Sequence, residues 1–432
     1  MSVQKRIPIV YNIFPRLAGT LVDWQKHVDR AINMHFNWLF INSILYTGHS
    51  GSLYAVKEHY KLNPDFLPPH TDDGIGLLGQ FLHECLDSGI WPMMDLIINH
   101  TSRDCPLTTE HPEWYRHSDN GEIASPYAVN PDNSDHVTVW GDLAEIDNNG
   151  STGKADLWQY WANMITYYQR MGFKGFRCDA AYKVPAELWH YLIERASAFD
   201  PDVLFFAETL GCTEKEILAL RDSGLHFFSN SSKWWDFEQP WCIDQHELFG
   251  AIAPSISFPE THDTTRLASD TNGNEAVQRQ RYAFAAVFSA GLMMPIGYEY
   301  GFRKKTDVVS TRPDDWETPG FDITRFITGM NRFKLDNPVF HGEGKIRSAE
   351  IDDQITVLER QSDRQPDLKA WILVNKKWDI PESIDVNRFT SLTAQHRIYY
   401  PCRDEASLSG VSLADTAIDL RPAEVAILME PQ

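Results

Sequence analysis

No two cysteines in this chain are spaced for chemistry. The six (Cys85, Cys105, Cys178, Cys212, Cys242 and Cys402) are scattered, with no CxxC pair and no zinc-ligand spacing. Long apolar runs are also lacking, and none approaches the roughly 20 residues of a membrane-spanning helix. The opening "MSVQKRIPIVYNIF" breaks its short apolar run at Pro8 and Asn12. It has neither the apolar h-region nor the small-residue cleavage site of a signal peptide. Free thiols and a cytoplasmic location are therefore expected. Basic charge is scarce as well: 39 Lys and Arg against 60 Asp and Glu leave a formal charge of −21. Like charges repel, so nucleic acid and anionic membranes are not expected as main partners, and a neutral ligand is compatible. Internal repeats and low-complexity segments are absent.

What is present is enough apolar surface for a large core. Hydrophobic residues make up 43% and aromatic residues 12% of 432 positions, which suits one large α/β domain plus a minor one. Strand-like and helix-like segments alternate along the first 340 or so residues. "IPIVYNIF", "NWLFINSI" and "WPMMDLII" read as strands, separated by helical patterns around Leu21–Met34 and Ile75–Cys85. After a helix carrying Trp158, Trp161, Ile165 and Tyr168 come "GFRCD", "VLFFAE", "HFFSN", "SISFPETHD" and "LMMPIGYEYG", each parted from the next by a helical stretch. Eight such units predict an α/β fold of the (β/α)8 TIM barrel type.

Two stretches fall outside this alternation. Residues 101–153 are polar and too long for an ordinary connection. Their Trp114, Tyr115, Tyr127 and Trp140 predict an ordered insertion after strand 3. Residues 340–432 carry short alternating runs such as "QITVLER", "KAWILVNK" and "AEVAILME", which predict a small C-terminal antiparallel β domain. The expected division is 1–100 and 154–339 for the barrel, 101–153 for the insertion and 340–432 for the β domain.

A barrel carries its chemistry at the C-terminal ends of its strands. Strand three ends with Asp95, Asn99 and His100, strand four with Arg177 and Asp179, strand five with Glu208, and strand seven with His262 and Asp263. Singly these are weak signals, since an Asp after a strand is more often a cap or turn former, and an Arg two from an Asp can be a structural ion pair. Repetition at four strand ends is harder to assign to capping, because buried charge is costly unless paired or functional.

Two carboxylates facing one cleft, with a third nearby, match the needs of retaining glycoside chemistry. One attacks the anomeric carbon while ionised. The other donates a proton to the leaving oxygen and later acts as base. Arg177 beside Asp179 favours its charged form, and the apolar run "VLFFA" favours the protonated form of the carboxyl that follows it. The expected roles are Asp179 as nucleophile and Glu208 as acid/base.

With those residues identified, the chain resembles glycoside hydrolase family 13, the α-amylase family, over nearly its whole length. "DLIINH", "GFRCD", "FAETL" and "THD" are similar to the family's four ordered motifs. The resemblance implies Asp263 as transition-state stabiliser, Arg177 as the residue orienting Asp179, and His100 and His262 as ligands of sugar hydroxyls. It implies structural support of the pocket by Asp95 and a sugar-stacking role for Tyr54. "NHTSRDCPLTTEHPEW" and "SLYAVKEHYKLNPDF" look like the glucanotransferase part of glycogen debranching enzyme. "EHPEWYRH", with Pro185 and Trp189, is similar to maltosyltransferases that use maltose 1-phosphate. Ala180 stands where those enzymes have Asn, and "NPDNSDH" (130–136) where they carry Lys-Lys-Tyr, so a phosphorylated donor is not expected.

Many family members bind a structural calcium near the residue four after the nucleophile. Here that residue is Lys183, whose ammonium would oppose a dication, so no metal and no cofactor are expected. Lys183, Trp234 and Trp235 are candidates for acceptor subsites, the tryptophans because aromatic faces stack on sugar rings. Packing of the "NSSKWWDFEQPW" loop onto the barrel is the competing reading for at least two of its aromatics. The implied activity is a retaining hydrolase of α-1,4-linked glucans or malto-oligosaccharides. A glucanotransferase or maltosyltransferase is the close alternative, and a non-catalytic amylase-like binding protein is disfavoured by the three carboxylates. Chain-length preference and oligomeric state stay open at this level.

Overall fold

A computed structural model describes residues 7–130, 133–351, 354–385, 388–389, 396–403, 410–413 and 417–430. Residues 1–6 of the opening stretch, and Pro131 and Asp132 of "NPDNSDH", lie outside the described residues.

Eight strands form a closed parallel barrel: β1 (Ile9–Ile13), β2 (Trp38–Ile41), β3 (Trp91–Leu96), β4 (Gly175–Cys178), β5 (Leu204–Ala207), β6 (Phe227–Ser229), β7 (Ser255–Ser257) and β8 (Gly291–Pro295). Each pairs with its sequence neighbours and β8 returns to β1. The helices that follow them are α1 (Gln25–Asn33), α2 (Gly74–Asp87), α3 (Lys154–Met171), α4 (Ala186–Phe199), α5 (Glu214–Ala219), α6 (Trp241–Gly250), α7 (Glu275–Phe288) and α8 (Thr324–Asp336). Local chemistry sets several of their starts. Asp73 caps α2 by accepting from Gly76 N at 2.7 Å, and Thr213 with Glu216 forms a capping box on α5. Leu78, Phe81, Leu82 and Cys85 then bury one face of α2, as their three-and-four spacing requires.

Side-chain alternation along the strands separates two cores. Val10, Trp38, Phe40, Trp91, Met93, Leu204, Phe206 and Ile256 share one cluster inside the barrel. Their intervening neighbours, such as Phe176, Cys178, Phe205 and Ala207, belong to the layer under the helices. The period of two then continues past the apolar residues: 91 and 93 lead to Asp95, and 204 and 206 lead to Glu208. On β4 the interior positions are 175, 177 and 179. Gly175 is there because a Cβ would stand 2.8 Å from Met93 Cε and 2.9 Å from the Trp38 ring. The short apolar strand carries charge because its inward face reaches the barrel mouth.

Two loops at that mouth have their own structure. After β2, Leu45–Thr47 pairs antiparallel with Val56–Leu62, and Tyr54 lies in the turn between them. After β3, His100–Ser102 pairs with Leu143–Glu145, and Tyr127–Asn130 pairs with Asn133–Val139. Trp114 and Tyr115 of this insertion are buried, whereas Tyr127 and Trp140 are exposed.

Beyond α8, six antiparallel strands form a sheet in the order Lys345–Ile351, Ile355–Gln361, Lys369–Asn375, Val425–Met429, Arg397–Tyr399, Val411–Ser412. The simple alternation expected of "KAWILVNK" is incomplete, since Ala370 through Asn375 are all buried. Ile372 and Val374 join the main core, while Trp371 and Leu373 join a separate cluster with Ile384 and Ile418. A strand covered on both faces reads as a continuous apolar run.

Candidate active site

Arg177 is the centre of the polar cluster. In the sheet it lies in register with Asp95 of β3, so both side chains leave the barrel wall on the same side. Its Nη1 lies 2.7 Å from Asp95 Oδ1 and 2.8 Å from Asp179 Oδ1, and Nη2 lies 2.8 Å from Glu208 Oε1. One guanidinium thus holds three carboxylates, using the planar fork that suits arginine to this task. Desolvation opposes its charge, but those neighbours outweigh it and keep Arg177 protonated.

The second oxygen of Glu208 accepts from the backbone N–H of Ala180 at 2.8 Å. Ala180 adopts a left-handed backbone, with φ 40° and ψ 51°, a costly conformation for a residue with a Cβ. It turns the chain sharply after Asp179 and aims that N–H at Glu208.

Asp179 departs from the sequence-based expectation. Its carboxyl is pushed up, first by desolvation and then by Glu208, Asp95 and Asp263, against the pull of Arg177. Adjacent carboxylates at a buried site share protons, and the resulting titrations belong to the group rather than to one member. Arg177 therefore offsets part of the charge of the cluster as a whole rather than that of Asp179 alone.

Tyr54 closes one wall. Its hydroxyl donates to Asp95 Oδ2 at 2.9 Å and lies 2.7 Å from His262 Nε2. The two rings stack with centroids 5.8 Å apart and planes 6° from parallel. Burial and the Asp95 charge raise the Tyr54 phenol, keeping it a neutral donor. Asn42 Nδ2 donates to the same hydroxyl at 3.0 Å, and Asn12 Nδ2 donates to Asn42 Oδ1 at 2.9 Å.

His262 Nε2 also lies 3.0 Å from Asp263 Oδ2, and the Asp263 side chain is 49% exposed to the cleft. Desolvation works against the Asp263 charge, but the His262 ring outweighs it and lowers the carboxyl to about 2. His100 is buried, with Nε2 3.1 Å from Tyr54 O. Burial lowers its imidazole to about 4, so it is neutral at pH 7.

Asp179, Glu208, Asp263, Tyr54 and His100 line one cavity of about 680 Å³, together with Asn99, Tyr127, Trp140, Tyr182 and Lys183. The volume lies in the range of small-molecule sites. The Lys183 ammonium lies 5.6 Å from the Tyr127 ring centroid.

Trp235 is a correction to the acceptor-subsite expectation. It is 0% exposed and packs against Phe237, Phe284 and Phe288. Its indole N–H donates to Gln239 O at 2.6 Å, so no face is free to stack on a sugar. Trp234 is 51% exposed and stands beside Asp263 in a neighbouring pocket.

Asn42 and the Ala180 N–H are not among the residues expected from the sequence. Asn42 had a signal, because it follows Trp38 and Phe40 at the same period of two on β2. The Ala180 donor had none, since a backbone amide carries no residue identity.

A family model described as "Glycogen debranching enzyme, glucanotransferase domain" matches residues 5–125. An α-1,4-glucan:maltose-1-phosphate maltosyltransferase of Burkholderia pseudomallei is 24% identical over 350 residues, covering 78% of this chain and 30% of its own length. The like-named protein of Picrophilus torridus is 28% identical over 221 residues, covering 46% of this chain and 32% of its own length. The chain thus spans about a third of each of these relatives. Among solved structures, an α-amylase from Lactobacillus plantarum superposes with a TM-score of 0.76 at 19% identity, over 99% of this chain and 100% of that one. An α-amylase from Geobacillus thermoleovorans, solved with acarbose, gives 0.77 at 15% identity over 100% of both. At such identities the superpositions speak for the fold. Taken with the four motifs, these likenesses make the chain similar to proteins of the α-amylase family, whose barrel fold it shares.

Proposed function

We propose that this protein is a retaining enzyme acting on α-1,4-linked glucans or malto-oligosaccharides, with Asp179 as nucleophile and Glu208 as acid/base. The observation that carries the reading is the single guanidinium of Arg177 bridging both carboxylates. A shared guanidinium holds the two carboxyls at one point of the cleft, which supports the close spacing that retaining chemistry uses.

In the first step Asp179 attacks the anomeric carbon as the glycosidic C–O bond breaks. Glu208 gives its proton to the leaving oxygen. The productive state has the cluster's proton on Glu208 and the negative charge on Asp179. The Ala180 N–H and Arg177 hold the Glu208 carboxyl in place through both steps. Asp263, kept ionised, faces the cleft where a sugar hydroxyl and the developing positive charge would lie. Tyr54 and neutral His100 form the wall of the same subsite. In the second step Glu208 takes a proton from the incoming hydroxyl as its oxygen bonds the anomeric carbon, and the C–O bond to Asp179 breaks to release the carboxylate.

Hydrolysis, with water as that acceptor, is the first reading. Transfer to another sugar is the second, favoured by the names of the similar maltosyltransferases and of the matching family model. Incubation with one pure malto-oligosaccharide and sizing of the products decides between them: only shorter chains mean hydrolysis, and longer ones mean transfer. If Asp179→Asn keeps near wild-type turnover, the nucleophile assignment is wrong.

The proposal includes no required calcium. Asn99 Oδ1 is a buried acceptor without a hydrogen-bond partner among the described residues, and is one oxygen of the kind calcium takes. Among the described residues no three His, Cys, Asp or Glu side chains gather around such a point, and Lys183 brings a positive charge to the cavity wall. Calcium takes 6–8 oxygen ligands in flexible geometry, carboxylates among them, and the scarcity of carboxylates around Asn99 among the described residues, together with the Lys183 charge, supports the proposal. Among the described residues no helix is long and apolar enough to cross a membrane.

A further inference from the structure

Beside the catalytic cleft, on the far side of Asp263, lies a second pocket of about 410 Å³. Three of its lining residues are cations: Lys233, from the turn Ser232–Trp234 after β6, Arg281 of α7, and Lys305 from the loop after β8. Two exposed indoles, Trp234 and Trp378, complete its rim, the latter reaching over from the C-terminal sheet region. A concentration of positive charge is unexpected on a chain with a formal charge of −21.

The carboxylates at this pocket offset only part of it. Asp263 and Asp270 also line the space. Asp263 is engaged by His262 and acted on by Lys305, and Asp270 and Glu260 act on Lys233, so three lining cations face two lining carboxylates. Among the described residues, neither lysine nor Arg281 makes an ion pair. Arg281 donates from Nη1 to Trp235 O and stacks its guanidinium over Phe237 at 4.4 Å. Desolvation lowers Lys233 and lowers Arg281 to about 10, so burial disfavours these charges and a bound anion would relieve that cost. The indoles supply apolar faces of the kind that stack on sugar rings.

We propose that this pocket binds an anionic substituent, a phosphate or a carboxylate, carried on a sugar ring that stacks against Trp234 or Trp378. The ring would sit next to Asp263, at the acceptor side of the proposed cleft, and the inference rests on the proposed function only for that last placement. The ligand class is therefore an acidic or phosphorylated sugar, distinct from the neutral glucan that fills the main cavity.

Equilibrium binding to the full chain tests this without any turnover. Calorimetry with glucose, glucose 6-phosphate, glucuronate and inorganic phosphate should show a charged sugar binding at least about tenfold tighter than glucose, since hydrogen bonds to charged groups differ by that order. Whichever of glucose 6-phosphate and glucuronate binds tighter identifies the anion. Lys233→Gln with Lys305→Gln should lose that preference while malto-oligosaccharide cleavage stays within about twofold, and Trp378→Ala should weaken the charged sugar but not inorganic phosphate. Equal affinity for glucose and both charged sugars overturns the proposal, as does unchanged binding in the double lysine variant. Inorganic phosphate binding as tightly as the sugar phosphate overturns the stacking half. Charged-sugar binding by a protein that leaves malto-oligosaccharides uncut would support this inference while refuting the proposed function.

Discussion

Ala180 donates its backbone N–H to Glu208 Oε2 over 2.8 Å, from a left-handed conformation. The residue that follows the proposed nucleophile thereby positions the proposed acid/base. The two carboxyls are coupled twice, through Arg177 on one oxygen of Glu208 and through this amide on the other.

Ala180→Gly should keep both the turn and the donor, because glycine adopts positive φ without steric cost. Thermal stability and kcat are expected to stay near wild type. Ala180→Val should lose about 1–3 kcal/mol, the range for strained backbone positions, and should lower kcat more than it raises KM. Chemical denaturation and steady-state kinetics on the pair check this. A valine variant as stable and active as wild type would show that the conformation is not needed.

The Asp179 shift has a consequence for stability. An acid whose folded-state pKa is raised contributes stability that is fully present below its unfolded value, near 3.9, and is lost as pH rises through the folded value. Ionising Asp179 as pH rises is therefore costly, because the site is buried and Glu208, Asp95 and Asp263 oppose its charge. Asp179→Asn should be inactive yet melt higher than wild type at pH 7, with the gain shrinking as pH falls toward 4. Asp263 carries the opposite sign: lowered to about 2, it adds stability above its unfolded pKa that is lost as pH falls through about 2. Melting curves of wild type, Asp179→Asn and Asp263→Asn across pH 2–8 separate the two, and an Asp179→Asn variant that melts lower at every pH would contradict the raised Asp179 pKa.

The neighbouring tryptophans of the β6 loop should respond differently. Trp235→Ala empties a fully buried site and is expected to cost about 3–5 kcal/mol. Trp234→Ala removes an exposed ring, so its stability should change by less than about 0.5 kcal/mol. Equal loss of stability in both variants would refute the division.

Removing divalent cations should not matter. Dialysis against a chelator is expected to leave the melting temperature and activity unchanged. A fall of about four degrees or more, restored by added calcium, would overturn the proposal, since loss of a tightly held folded-state ligand costs about 4 kcal/mol and each kcal/mol shifts a large domain by only about a degree or two.

Much of the barrel was legible because its physics is local. Period-two alternation in "WPMMD", "GFRCD" and "LFFAE" ran straight from apolar interior residues into Asp95, Arg177, Asp179 and Glu208, so the strand ends announced the site. The C-terminal sheet was harder, because "KAWILVN" is buried on both faces, and continuous burial erases the alternation that marks a strand. The tryptophans of "NSSKWWDFEQPW" could not be sorted, since adjacent indoles look alike until one is seen to sit under Phe284 and Phe288.

By itself the sequence determined which chemical groups reach the barrel mouth, because strand period and βα alternation are short-range properties. Tertiary structure alone decided how those groups share charge. Arg177 meets Asp95 across the sheet register, Glu208 from the next strand and Asp179 from its own, and only their joint burial lifts Asp179 against the cation beside it. Charge interaction depends on distance and dielectric through space, and neither quantity is written along the chain.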